Sequence, residues 1–265
     1  MTRKSKNSIF SVLLLSVMFL FTPLTRMTVD AANLFSVVVL TKYSNVMSIG
    51  DEFYLTAVTS NGKLPTFKSS KSSIASVNTY GLVTAKKAGT CKITAKIKNA
   101  EASCKITVKP TKISIQPSSI SLYRLGTRQL TADVSTGHTP VWKSSKSSVA
   151  TVDENGLVTA VKHGTAKITA KADGVTKCCT VTVRQPKITL SASKLTLNAG
   201  DSYTLSASVS SGNPPEWSSS NLNVAAVDSH GIITARQKGK AYIYAREDGV
   251  KVSCIVTIRE PQAEP

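Results

Sequence analysis

The sequence is poor in aromatic side chains and acidic groups, and each shortage excludes a class of protein. Phe, Trp and Tyr make up only 6% of the 265 residues, so any core must be built mainly from Val, Ile, Leu and Ala. The 15 Asp and Glu residues are too few to suggest Asp-rich calcium sites. No segment beyond Ala31 shows a helical stripe. We therefore expect neither a helical fold nor a calcium-dependent one.

Residue types used in catalysis are present but form no catalytic pattern. Serine is abundant, yet no G-x-S-x-G elbow with a His and Asp partner occurs. Asp153 and Glu154 are neighbours in one turn, which does not suit the paired carboxylates of glycoside hydrolases. His138, His163 and His230 have no ligand-like spacing and are predicted to be exposed loop residues. We expect no enzyme, no cofactor and no metal site.

What the sequence does contain is one segment that occurs three times at a constant spacing, with copies that begin at Phe67, Trp142 and Trp217. Residues 142–171 read WKSSKSSVATVDENGLVTAVKHGTAKITAK, and residues 67–96 are identical to them at 21 of 30 positions. Residues 217–246 are identical to the middle copy at 14 of 30 positions. A period of this length is close to the size of a small domain, so the repeat indicates three tandem units. The predicted boundaries are 34–109, 110–185 and 186–260, with a signal peptide at 1–31 and a polar tail at 261–265.

Each unit is predicted to be an antiparallel β-sandwich. Apolar and polar residues alternate with period 2, as in Lys112-Ile113-Ser114-Ile115, and turn residues recur every 8–12 positions. Glycine recurs at one turn of every copy, at positions 81, 156 and 231, which indicates a backbone conformation that only glycine adopts easily. Short joins containing Pro110 and Pro186 favour an elongated, end-to-end array. The fold class is therefore all-β.

The pattern W-x-S-S, V-A-x-V-D-x-x-G-x-V-T-A, G-x-A-x-I-x-A and C-x-V-T-V resembles the bacterial immunoglobulin-like domain of group 2, the module of intimin- and invasin-type adhesins. The middle copy carries it in Trp142–Ser145, Val149–Asp153, Gly156–Ala160, Gly164–Ala170 and Cys179–Val183. The first copy departs from it with Phe67, Asn78 and Cys91, which adjust core size and a turn. The resemblance implies surface display, adhesion or spacing, and it implies no catalytic residues.

The formal net charge of +18 is distributed unevenly. Residues 32–109 carry 11 Lys and Arg against 3 acids, residues 110–185 carry 10 against 4, and residues 186–265 carry 8 against 7. A field of this sign favours anionic partners, although exposed lysines also serve solubility and protect strand edges. Lys68, Lys71, Lys143 and Lys146 occupy equivalent places in the first two copies and are the candidate polyanion-binding residues. The third copy has Ser218 and Asn221 there, so this lysine series is predicted to stop.

The N-terminal residues have the features of a secretory signal. Arg3, Lys4 and Lys6 precede an apolar run from Ile9 to Phe21, and Val29-Asp30-Ala31 offers a cleavage site. That run is short for a membrane span, which needs about 20 residues, so an uncleaved anchor is the lesser alternative and no span is expected after removal. The predicted location is therefore secreted or at the cell surface.

The five cysteines do not form a disulfide framework. Cys104, Cys179 and Cys254 occupy the same place in the three copies and are predicted to point inward as small core residues. Pairing across the last hairpin places Cys91 opposite Ile106 and Cys104 opposite Ile93, which makes the two thiols diagonal neighbours. Cys178 is predicted to face outward and could bridge to another molecule.

Two functions agree with these observations. The first is a non-enzymatic surface or extracellular protein for adhesion or for binding an anionic polysaccharide or wall polymer, with no specific nucleic acid partner. The alternative is a structural spacer with no ligand of its own, which supports another surface protein. Smooth polar loop ends would favour the spacer, and an aromatic-lined concave loop cluster would favour sugar binding.

Overall fold

The computed structural model describes residues 36–260, which form three all-β domains joined end to end. The predicted signal peptide and polar tail lie outside the described residues. Each domain has its own buried core, and the three cores are separate clusters. Within residues 36–260 no helix is long and apolar enough to cross a membrane. The expected tandem array of immunoglobulin-like sandwiches is confirmed.

Every domain has nine strands in the same order. The first domain contains β1 Val38–Leu40, β2 Ser44–Met47, β3 Glu52–Tyr54, β4 Ala57–Thr59, β5 Thr66–Ser69, β6 Ala75–Val77, β7 Leu82–Ala85, β8 Gly89–Ile97 and β9 Ala100–Val108. The second contains β10 Ile113–Gln116, β11 Ser119–Leu122, β12 Thr127–Gln129, β13 Thr131–Val134, β14 Val141–Ser144, β15 Ala150–Val152, β16 Leu157–Ala160, β17 Gly164–Ala172 and β18 Val175–Val183. The third contains β19 Ile188–Leu190, β20 Lys194–Asn198, β21 Ser202–Thr204, β22 Ala207–Val209, β23 Glu216–Ser219, β24 Ala225–Val227, β25 Ile232–Ala235, β26 Gly239–Glu247 and β27 Val250–Arg259.

The strands of each domain form a four-stranded, a three-stranded and a two-stranded sheet. In the first domain the orders are β2-β9-β8-β5, β3-β7-β6 and β1-β4, and the other domains repeat them with strand numbers higher by nine and eighteen. Strand β2 runs parallel to β9, as do the equivalent pairs β11–β18 and β20–β27, and the other pairs are antiparallel. The long hairpin of β8 and β9 dominates the four-stranded sheet, because its alternating residues bury one side and expose the other.

The residues at the hairpin tips determine the type of turn. Ala172 pairs with Val175, and the two residues between them, Asp173 and Gly174, have φ values of 51° and 79°. Positive φ at both positions is the requirement of a type I′ turn, which suits Asp-Gly. In the first domain the tip is Lys98-Asn99, and of these two only Asn99 has a positive φ. The backbone at the tip of the first hairpin therefore differs from that of the other two, where Asp and Gly both have positive φ.

The predicted burial and pairing positions of the cysteines are confirmed. Cys104, Cys179 and Cys254 are fully buried, and burial raises the pKa of each thiol. Cys91 pairs with Ile106 and Ile93 with Cys104, as the register predicted, and both cysteines are free. Cys178 is exposed.

Candidate functional site

The four predicted lysines are all exposed and lie along one edge of the four-stranded sheet. Lys68 is on the edge strand β5 opposite Thr94, and Lys143 is on β14 opposite Thr169. Lys71 and Lys146 lie in the turn that follows each of these strands, where the side-chain oxygen of a serine accepts from their backbone N–H. Among residues 36–260, no carboxylate forms an ion pair with any of the four. Their charges are thus available to a ligand.

The serines that accompany these lysines have a structural task. Ser69 and Ser144 donate from Oγ to the carbonyl oxygens of Ala75 and Ala150 at 2.6 Å. The next serine in the second copy, Ser145, accepts from the backbone N–H of Lys167 at 2.8 Å. Ser219 and Ser220 of the third domain make the same bonds. The W-x-S-S motif therefore fastens the edge strand, and its lysine is the side chain left free.

The solvent-facing side of each four-stranded sheet, here called the outer face, contains further cations that the repeat comparison missed. In the first domain Lys92 and Lys105 are directly opposite each other, and Lys96 lies beside Glu101 with 3.6 Å between Nζ and Oε2. In the second domain the outer face adds Lys167 and Lys171 to Lys143 and carries no acidic residue. Like charges directly across a ladder are unfavourable for the sheet, so the Lys92–Lys105 pair is not there for stability.

The positive outer face does not stop at the third domain, although the predicted lysine series does. Ser218 and Asn221 are uncharged as expected, but other strands of the same sheet supply five cations against a single acid, Glu216. The cations are Lys194, Lys240, Arg246, Lys251 and Arg259. Residues 186–265 carry 8 Lys and Arg against 7 acids, so their total charge is near zero and gives no indication of a basic face. Only the strand pairing reveals that these cations are concentrated on one face of the sheet.

Two tyrosines accompany those cations. Tyr242 and Tyr244 replace Lys167 and Thr169 of the second domain, and their rings are nearly parallel at 11° with centroids 6.3 Å apart. The Nζ atom of Lys251 lies 3.5 Å from the centroid of the Tyr244 ring. The side-chain composition of this face therefore differs from that of the other two domains. The signal in the sequence is Tyr-Ile-Tyr on a strand whose counterparts read Lys-Ile-Thr.

The joint between the second and third domains contains a buried ion pair. Arg124 donates from Nε to Oε1 of Glu247 at 2.9 Å, and the Glu247 side chain is fully buried. Asn213 donates to Glu247 and to the carbonyl oxygen of Arg124, so it contacts both domains. Such a pair has to be satisfied on all sides because a lone buried carboxylate is costly. The Ser211 hydroxyl provides the remaining bond.

His163 belongs to the same joint, which corrects its prediction as an exposed loop residue. Its backbone N–H and its Nδ1 both contact the carboxylate of Asp248, at 2.9 and 3.2 Å. Asp248 is at the hairpin tip of the third domain and its side chain is only 1% exposed. His138 is exposed but bonded to Asp173, and His230 is exposed as predicted.

The joint between the first and second domains uses different residues. The positions equivalent to Arg124, His163 and Glu247 are Ile49, Ala88 and Ala172. At the tip of the β17–β18 hairpin, the carboxylate of Asp173 accepts hydrogen bonds from three residues of its own domain, Thr111, Thr136 and His138. Burial raises the pKa of Asp173, but the hydrogen bonds from Thr136, His138 and Thr111 outweigh it and hold that pKa below its usual range.

One concave region involves loops. A cleft of about 470 Å³ lies beside Trp217 in the third domain and is lined by Pro214, Pro215 and His230. No group of three or more His, Cys, Asp or Glu side chains in the described part of the chain is arranged to hold a metal ion.

Comparison with known proteins agrees with the sandwich architecture. Residues 25–108, 109–183 and 186–256 match the family described as bacterial Ig-like domain (group 2). The chain is thus a tandem immunoglobulin-like protein, and it belongs to the group 2 bacterial Ig-like domain family. The first match begins inside the predicted signal peptide, whereas the other two begin at or next to the predicted domain starts.

Individual relatives are more distant. An uncharacterised protein of Clostridium acetobutylicum is 33% identical over 144 residues, which is 50% of this chain but only 15% of that protein. The I9–I11 tandem of titin is 13% identical and covers 84% of this chain and all of its own, with a TM-score of 0.50, which shows the fold alone. Domains 1–6 of the surface layer protein SbsC are 17% identical and cover 85% of this chain and 40% of theirs, with a TM-score of only 0.27.

Proposed function

We propose that this chain is an exported, non-enzymatic protein of the cell surface or extracellular space that binds an anionic polysaccharide or wall polymer. The observation that carries the proposal is the outer face, which is basic in all three domains and is extended at its edge by Lys71 and Lys146 in the first two. Membership in the bacterial Ig-like family and the signal-like N-terminal sequence support an extracellular role.

The composition of the outer face suits a hydroxylated polyanion. In the first two domains, threonine and serine hydroxyls alternate with the lysines on the same strands. Ammonium groups attract carboxylates and phosphates without a fixed geometry, whereas hydroxyls pair with the hydroxyls of sugars. Tyr242 and Tyr244 form the only pair of stacked rings within residues 36–260, so no series of aromatic platforms is available for a nucleic acid.

Heparin affinity chromatography of the whole chain tests this function. The variant K68Q/K71Q/K143Q/K146Q should elute at clearly lower salt than the wild type, because fewer counterions are exchanged on binding. The matched control is K63Q/K112Q/K162Q/K187Q, which removes the same charge from exposed sites outside the outer face. If both variants elute at the same salt concentration, the effect is due to net charge and not to the position of the four lysines. Elution of the wild type below physiological salt would refute the proposal.

A spacer is the second candidate, and the joint between the second and third domains favours it. The Arg124–Glu247 pair, with Asn213 bonded to both sides, connects neighbouring domains through desolvated polar contacts. A protein that only holds another at a distance needs joints of this kind and no ligand. Wild-type protein that binds neither heparin nor isolated wall polymers, while small-angle scattering shows one extended length at every salt concentration, would establish the spacer instead.

A further inference from the structure

The outer face of the third domain combines aromatic and cationic groups in a way the other domains do not. Across the sheet, Tyr242 is flanked by Ile255, and Tyr244 lies between Ser218 and Ser253. Tyr242 is 41% exposed although it is on the central strand β26. Tyr244 is half-buried, and neither ring is needed for the core, because the buried residues of β26 point the other way.

Charged residues surround this apolar strip. Along β26, Lys240 precedes the tyrosines and Arg246 follows them, while Lys194 is level with Tyr242 beyond Ile255. Arg246 is opposite Lys251 on one side and opposite Glu216, the single acid on the face, on the other. Toward the end of the strands, an open depression of about 680 Å³ is lined by Lys240, Thr257 and Arg259 and by Lys238, which is paired with Glu260 at 3.5 Å. The face is therefore complementary to a ligand with apolar surfaces and repeated negative charge.

We infer that Tyr242 and Tyr244 form a sugar-stacking subsite for a linear anionic polysaccharide, whose carboxylate or phosphate groups bind the surrounding lysines and arginines. The C–H face of a pyranose ring is apolar and weakly positive, so it packs on the negative face of a tyrosine ring. The inference deepens the proposed function, because it assigns recognition of the sugar ring to the third domain and leaves mainly charge recognition to the first two.

The arrangement of the cations distinguishes this face from a simple aromatic patch. Lys251 occupies one face of the Tyr244 ring, so the 41%-exposed Tyr242 ring is the more accessible platform and the Lys251 charge is held beside it. Arg246 and Lys251 are directly opposite each other on β26 and β27. Glu216, opposite Arg246 on β23, offsets part of their mutual repulsion in the free protein, and an anion bound between the two cations offsets the rest.

Binding of polygalacturonate, a carboxylated glycan, to the full-length protein tests the inference by titration calorimetry. The variant Y242A/Y244A should bind about tenfold more weakly, whereas Y242F/Y244F should stay within about twofold because the rings remain. The variant K240Q/K251Q should also weaken binding and should reduce its salt dependence. Neutral dextran should bind far more weakly than polygalacturonate.

The matched control is Y54A/Y80A, which removes two exposed tyrosines of the first domain that do not lie on the outer face. It should leave polygalacturonate binding unchanged. Thermal unfolding of each variant verifies that the third domain is intact, and the Phe and Gln variants keep the test valid if the alanine variant is unstable.

The outcomes separate the two proposals. Unchanged affinity in Y242A/Y244A, with normal retention of the wild type on heparin, overturns the stacking subsite and leaves the polyanion function standing. Tyrosine-dependent binding of polygalacturonate without retention on heparin keeps the subsite and removes the lysine-based function. If single-stranded oligothymidylate bound more tightly than polygalacturonate, and did so through the tyrosines, the face would be assigned to nucleic acid and the inference overturned.

Discussion

The indole of Trp142 packs against the backbone of Gly156, and a Cβ placed on Gly156 would lie 2.9 Å from Cζ2 of that ring. The same Cβ would lie 2.8 Å from the carbonyl oxygen of Leu130, and the glycine has a φ of 84°. The glycine shared by all three repeats is therefore required twice, by its backbone conformation and by the core aromatic above it. This contact explains why W-x-S-S and the turn glycine occur together.

Replacing Gly156 with alanine should destabilise the second domain by about 2 kcal/mol or more, because positive φ and the clash add. Gly137 is the control, since its φ is 76° but no atom lies within 4 Å of its Cβ position. G137A should lower the free energy of unfolding of the second domain by only about 1 kcal/mol. Denaturant unfolding followed by Trp142 fluorescence in a W217F background measures both, and equal losses would contradict the packing argument.

The joint between the second and third domains should be sensitive to loss of one charge and tolerant of loss of both. R124A leaves Glu247 buried without its cation and should destabilise the joint by about 2 to 3 kcal/mol. R124I/E247A installs the residues found at the first joint, Ile49 and Ala172, and should recover most of that loss. Unfolding monitored by Trp217 fluorescence compares them. A double variant as unstable as R124A would show that the ion pair itself is required.

Acid should weaken the second domain through Asp173. Its pKa is lowered in the folded protein, so its hydrogen bonds stabilise the fold above the ordinary Asp pKa of about 4 and are lost as the pH falls through the lower folded value. D173N is the comparison, because asparagine also tolerates the positive φ of this position. The stability difference between wild type and D173N should be full at pH 7 and should shrink below about pH 4. A constant difference would contradict this assignment.

Native protein should expose one reactive thiol. Cys178 is exposed, whereas the other four cysteines are buried and the thiols of Cys104, Cys179 and Cys254 have raised pKa values. A thiol reagent should therefore titrate one group per chain before unfolding and five after it. C178S should titrate none in the native state, and rapid reaction of that variant would show that a buried cysteine becomes accessible.

Local patterns were sufficient to predict the fold. Alternation predicted that Cys104 and Ile93 lie opposite each other, and the recurring glycine predicted the turn at Gly156. These features depend on residues close in sequence or on a ladder counted outward from a turn. Three copies of one pattern also made the core positions evident, since shared residues are those the fold needs.

The functional surfaces were harder to predict because they depend on pairing between distant strands. Arg124 and Glu247 are 123 residues apart, and only the meeting of two domains brings them together. The outer face of the third domain was hidden by a net charge near zero, since its cations come from three different strands. Tyr242 and Tyr244 lie at positions where the three copies differ. Comparison of the repeats therefore could not show which residues lie beside them on the sheet.

The two joints have a consequence for how these modules can be recombined. The third domain presents Asp248 to His163, while the first domain has Lys98 at the same hairpin tip and the third has Lys238 at the place of His163. In a chain with the first domain placed after the third, Lys98 would approach Lys238, and the new joint would contain no carboxylate at the place of Asp248. The order of the second and third domains is therefore specified by the charged groups of their joint, whereas the first joint has Ile49, Ala88 and Ala172 at those places.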